Sequence, residues 1–119
     1  MPGKIQATVK KNTTPTLPVT VYLPLSQIKR LEFIFKKKCT ESHPALVHKV
    51  FTAGKIPVDD SVTSDSYFRV LLPLTAKETA CFQVGEMFMD THAELTDGTV
   101  PETEIVCFNV TPTLFGDGV

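Results

Sequence analysis

Apolar and polar residues alternate with a period of two along most of the chain, most cleanly across residues 13–37. Leu17, Val19, Val21 and Leu23 alternate with Thr16, Pro18, Thr20 and Tyr22, and Leu31, Phe33 and Phe35 with Arg30, Glu32, Ile34 and Lys36. One apolar face at this period marks a strand half buried against a core. The pattern predicts two strands joined by a tight polar turn, with one helical turn at residues 25–28 after Pro24. Pro18 lacks a ladder donor, which places its strand at an edge or a bulge.

The same reading gives a short first strand at residues 5–9, a further strand at 45–51, and a brief one at 55–58 before a polar loop at 59–65. Residues 67–72 form a strand with Phe68, Val70 and Leu72 on one face. Thr75 and Glu78 then have the spacing of a capping box, and Ala76, Lys77 and Ala80 favour helix, so a short helix is expected near residues 75–82. Leu74 and Phe82 would tuck it against the end of a sandwich. Thr79 stands where a hydrophobic staple needs an apolar side chain, so the box is expected to stand alone. Residues 85–94 carry Met87, Met89 and Ala93 on one side and Phe88, Asp90 and His92 on the other. Asp97-Gly98 is the strongest hairpin signal, and residues 100–110 are expected to return antiparallel with Val106, Phe108 and Val110 inward.

About seven to eight strands with a helical crossing before the last hairpin suit an all-β, immunoglobulin-like antiparallel sandwich. The buried Trp of that fold is absent, since the chain has no Trp, and an open barrel of the same strands is the alternative. A chain of 119 residues is one domain. Residues 1–11 would be an N-terminal arm or extra strand, and 112–119 a C-terminal tail. No apolar run reaches the ~18 residues of a membrane span, and the N-terminus lacks the apolar core of a signal peptide. Cys39, Cys81 and Cys107 are an odd, sparse set, which favours reduced thiols and synthesis in a cytoplasm.

The net charge of −1 conceals an asymmetry. Up to Val58, ten Lys and Arg oppose two Glu, a balance of +8; from Asp59 onward, two oppose eleven Asp and Glu, a balance of −9. Two outcomes are open. The halves form opposite poles that steer copies or a partner together, or their strands interleave and the charges mix on the folded surface. The candidate contact residues are Lys10, Lys11, Lys29, Arg30, Lys36, Lys37, Lys38, Asp90, Glu94, Glu102 and Glu104. The basic residues lack interleaved stacking aromatics, which argues against a nucleic-acid partner.

Cys39, His43 and His48, with His92 or Cys107 as a distant fourth ligand, are the only hint of zinc, and the spacing falls short of a zinc motif. Asp59, Asp60 and Asp65 lack the spacing of a helix-flanked calcium loop. Asp90, His92 and Glu94 share a strand face that reads as an ordinary polar exterior, and Cys107 reads as a small sheet residue rather than a nucleophile. Phosphate-binding glycine loops and G-x-S-x-G elbows are absent. No catalytic residue, metal or cofactor is assigned, and the chain is expected not to be an enzyme.

Three segments carry a family resemblance: Thr13-Thr14-Pro15-Thr16 leading through residues 23–29 into an alternating strand, residues 74–79 (LTAKET), and the Asp97-Gly98-Thr99 turn. Over residues 12–119 the chain resembles small proteins encoded by phages and prophages of Firmicutes and related gut bacteria, often near virion-assembly genes. The second segment is similar to that family's "LTQEET" helix start. Family members usually begin near the Thr-Thr-Pro motif, so residues 1–11 are a departure, as are the loops at 39–44 and 59–65. The resemblance implies a non-enzymatic virion component, such as a tail, baseplate or head–tail junction subunit, assembled in the bacterial cytoplasm. Its partners would be other virion proteins or copies of itself, with no membrane, nucleic acid or small-molecule substrate. An intracellular inhibitor of a host defence protein is the alternative.

Overall fold

The inward positions of the alternating segments meet in one core between two sheets. The computed structural model describes residues 3–38 and 44–114. Its strands are β1 (Gly3–Lys10), β2 (Thr16–Val21), β3 (Ile28–Lys36), β4 (Val47–Thr52), β5 (Val58–Thr63), β6 (Phe68–Pro73), β7 (Gly85–Leu95) and β8 (Val106–Thr111). One sheet has the order β1-β8-β7-β3-β4 and the other β2-β6-β5. Leaving β1 aside, in strand letters these are G-F-C-C′ and B-E-D, the arrangement of an immunoglobulin-like sandwich. The first strand lies parallel to β8 on the edge of the larger sheet. Among the described residues no helix is long and apolar enough to cross a membrane.

The period-two assignments of inward residues hold. Leu17, Val19 and Val21 of β2, Leu31, Phe33 and Phe35 of β3, Phe68, Val70 and Leu72 of β6, and Met87, Met89 and Ala93 of β7 are all buried. Phe35, Phe82 and Phe108 form the aromatic centre, with ring centroids 5.4 Å apart for Phe35–Phe82, 6.0 Å for Phe35–Phe108 and 5.9 Å for Phe82–Phe108. These rings fill the interior of a chain that has no Trp.

Three expectations are corrected. First, β2 and β3 do not form a hairpin: β2 pairs with β6, and β3 with β4 and β7. The 3-10 turn at Leu25–Gln27 carries the chain from one sheet to the other, with Leu23 and Leu25 packed on the core instead of lying in a polar turn. Second, the segment read as a polar loop at 59–65 is largely strand β5. It is an irregular edge strand, matched to β6 at Val58↔Val70 and Thr63↔Phe68 with a register shift between. Its outward polar side chains suit an edge that must stay in water. Third, Asp97-Gly98 does form a tight turn, in which the Gly98 amide donates to the Leu95 carbonyl and the Leu95 amide to that of Thr99, at 2.9 Å each. Gly98 has φ +88°, which glycine adopts without strain. The return strand nevertheless starts only at Val106, because residues 100–105 leave the ladder and the Thr103 hydroxyl donates to the Thr91 carbonyl instead.

Pro18 sits on the edge strand of the smaller sheet, as its missing donor requires. The Leu74 amide donates to the Pro15 carbonyl at 3.0 Å and the Leu71 amide to the Pro57 carbonyl at 2.8 Å. The antiparallel alternation therefore turns the backbone groups of Leu17, Val19 and Val21 toward β6, and those of Thr16, Pro18 and Thr20 toward solvent.

The helix α1 (Ala76–Ala80) is too short to hold itself together and depends on its anchors. The capping box is complete: the Glu78 amide donates to Thr75 Oγ1 at 3.1 Å, and the Thr75 amide donates to Glu78 Oε1 at 2.8 Å. It does not stand alone. Thr79 is fully buried, donates its hydroxyl to the Thr13 carbonyl at 2.8 Å and accepts the Thr13 amide at 3.0 Å. A polar residue at the staple position thus ties the crossing helix to the loop between β1 and β2. Lys49 adds an ion pair with Glu78 at 3.0 Å and donates to the Pro73 carbonyl at 2.6 Å.

Thr79→Val keeps the volume but leaves the Thr13 amide and carbonyl unpaired, and is expected to cost about 1–3 kcal/mol in urea unfolding. Thr79→Ser should recover most of that, whereas a Val variant as stable as wild type would show the clamp contributes nothing. Partial burial opposes ionisation of Glu78, but the Thr75 amide and the Lys49 ammonium outweigh it and hold the carboxyl below its ordinary value. A folded pKa below the unfolded one gives stability that is present above the unfolded value and lost as pH falls through the folded value. Urea unfolding of wild type and Glu78→Gln should therefore differ at neutral pH, with wild type more stable, and converge on acidification below the carboxylate range.

Candidate functional site

The outward positions of the larger sheet form a broad face. Register places Arg30 beside Glu94 and Thr52, Glu32 beside His92 and Val50, Ile34 beside Asp90 and His48, and Lys36 beside Phe88, which in turn adjoins Cys107. An apolar stripe therefore runs diagonally from Val50 through Ile34 and Phe88 to Cys107, with charged residues on both sides. Val50 is 43% exposed, and Ile34, Phe88 and Cys107 are half-buried.

Glu32 lies at the centre of the charged residues. Its carboxylate meets Arg30 at 3.0 Å, His48 Nε2 at 3.0 Å and His92 Nδ1 at 3.3 Å, and its side chain is only 14% exposed. These contacts tie strands β4, β3 and β7 together on their outer side. At the start of β3, Ile28 is set against Leu95 and Arg30 against Glu94, leaving Lys29 as the extra residue of a bulge. Lys29 Nζ stands 3.7 Å from Glu94 Oε1.

Of the sequence-predicted contact residues, the fold collects Arg30, Lys36, Asp90 and Glu94 on this face, with Lys29 at its end. Lys10 lies on β1 at the far edge, with Lys11 just after it. Lys37 and Lys38 follow the end of β3, exposed. Glu102 and Glu104 belong to the detour before β8. The basic and acidic halves of the chain are thus neighbours: β3 carries Arg30 and Lys36 beside Asp90 and Glu94 of β7, and the charges mix across the sheet.

A concavity of about 330 Å³ opens between the end of β2 and the detour. Val21 and Leu23 line one wall, Met89 and Thr91 the floor, and Glu102 and Glu104 the other wall. Tyr22 and Thr20 also line it, as does Thr103, whose hydroxyl is donated to the Thr91 carbonyl.

The other candidate chemistry is dispersed. Cys39 and His43 lie outside the described residues, and His48 and His92 are engaged by Glu32. Among the described residues no group of three or more His, Cys, Asp or Glu is arranged to hold a metal. Asp59 accepts from the Ser61 hydroxyl and amide, which hold its carboxyl below the ordinary value. Asp97 accepts from Thr99 in the same way, with the same effect. Asp90 and Glu94, four residues apart on a strand, are separated by about 13 Å, too far to share a proton. Neither Cys81 nor Cys107 is in a disulfide.

The apolar stripe escaped the sequence reading. Its signal was present in Ile34 and Phe88, two large apolar side chains at positions whose alternation points away from the core.

No protein-family model matches the chain, and no curated protein is similar to it. Among solved structures it is similar to the extracellular domain of the voltage-gated sodium channel beta4 subunit, described as forming parallel homodimers that explain a role in cell–cell adhesion. The two share 11% identity over 91% of each chain, with a TM-score of 0.38. The fold assignment rests on the strand order given above.

Proposed function

We propose that this chain is a non-enzymatic docking module that contacts other proteins through the outer face of its β1-β8-β7-β3-β4 sheet. The observation that carries this reading is the diagonal stripe of Val50, Ile34, Phe88 and Cys107 set among charged residues. An antiparallel sheet with one face on a core ordinarily turns a polar face to water. Apolar side chains at the centre of such a face, bordered by charge, have the anatomy of a protein–protein interface. The outer side of the sheet has the ionic network of Glu32 to stiffen it, which lowers the ordering cost of docking.

The assembly it joins is, on this proposal, a phage particle, with the chain as a tail, baseplate or head–tail junction subunit. Support comes from the resemblance carried by residues 13–16, 74–79 and 97–99. Two of those segments, 13–16 and 74–79, meet at the Thr13–Thr79 clamp.

Mass spectrometry of particles purified from the encoding phage or induced prophage is expected to find the chain in stoichiometric amount. Its absence from particles would remove the virion role. Phe88→Lys, placed on the docking face and away from the core, should leave the fold intact by circular dichroism while lowering incorporation into particles.

A further inference from the structure

We infer that the occupant of this face is a second copy of the chain, related by a two-fold axis that runs along the strands between β3 and β7. The inference rests on the docking reading above and names its partner.

The charge pattern selects the axis. On the exposed face β3 carries Arg30, Glu32, Ile34 and Lys36, and β7 carries Glu94, His92, Asp90 and Phe88 at the matching heights. A rotation of 180° about an axis parallel to these strands and midway between them sets β3 of one copy over β7 of the other without changing height. Each side chain then faces its own register partner from the second copy. Arg30 meets Glu94 and Glu32 meets His92, twice each. Lys36 lies over the Phe88 ring, a cation–π geometry, and beside Asp90. A two-fold axis across the strands instead sets β3 on β3 and β7 on β7. If centred on the Glu32–His92 row, it stacks Asp90 on Glu94, which juxtaposes like charges. Of these two arrangements the first is the self-complementary one, as an isologous interface requires.

The apolar residues fit the same axis. Ile34 and Phe88 stand on the two strands that flank it, so both copies bring these side chains to the centre. Under that axis Ile34 faces Asp90 of the second copy and Phe88 faces Lys36, so both apolar side chains lie against charged ones, with the Arg30–Glu94 pairs toward one end. The axis superposes four strands, β4, β3, β7 and β8, which at ~4.8 Å spacing and ~20–35 Å length present roughly 500 Å² per copy, a small contact at the low end of specific interfaces.

The test is a charge exchange followed by sedimentation equilibrium on the full chain. Wild type is expected to dimerise, more weakly as salt rises. Arg30→Glu and Glu94→Arg should each weaken self-association by at least about tenfold. Because residue 30 of each copy faces residue 94 of the other, an equimolar mixture of the two variants should form a heterodimer, and the doubly exchanged chain should regain the homodimer. Ile34→Glu, which puts like charges at the axis, should give a monomer, and it decides the matter if a reversal fails to fold by circular dichroism. A wild type that stays monomeric at every concentration, or single variants that dimerise as well alone as mixed, would overturn the inference. A monomer found in purified particles would sink self-association and leave docking standing, whereas a dimer absent from particles would leave self-association standing and remove the virion role.

Discussion

The contact among Phe35, Phe82 and Phe108 is the constraint on which the rest of this molecule depends. Phe35 and Phe108 come from β3 and β8 of the larger sheet, and Phe82 from the segment that follows α1. Their rings meet edge-on or tilted, the geometries aromatic pairs prefer. The chain leaves the smaller sheet at Pro73, crosses in α1 and enters β7 at Gly85, so Phe82 is where that crossing is fixed to the interior. Without a Trp, and with neither Cys81 nor Cys107 in a disulfide, the interior relies on packing of this kind where other sandwiches have covalent and indole anchors.

A core closed in this way separates two tasks. The inward residues of β3 and β7 hold the sheets together, while the outward residues of the same strands are free to be selected for contact. Glu32 lies on the outer side and still belongs partly to the scaffold, since three cationic or imidazole groups on β3, β4 and β7 converge on it. The face is thus preorganised by interactions that do not draw on the interior.

Much of this fold was legible in the sequence, because one buried side per strand leaves a period-two trace. Leu31, Phe33, Phe35, Phe68, Val70 and Leu72 are inward as that trace requires. Pairing was less legible, since β2 and β3 alternate identically whether they form a hairpin or lie in opposite sheets. β5 was read as a loop because Asp59, Asp60 and Ser61 give an edge strand no apolar rhythm. Residues 100–105 were read as strand, but a threonine hydroxyl there takes a backbone carbonyl from the ladder, which no periodicity reveals. Of the candidate surface, the charges at Arg30, Lys36, Asp90 and Glu94 could be placed on one face by parity. Their relation to one another required the register of β3 on β7.

The solvent-facing row of β2 has a further consequence. Two threonines there present both an amide and a carbonyl, but Pro18 between them has no hydrogen to give. A foreign strand approaching that rim meets a break in the middle of the hydrogen-bonding row. The break hinders copies from zipping into continuous cross-β ribbons, so that a single imino acid serves as a gatekeeper against aggregation at this rim.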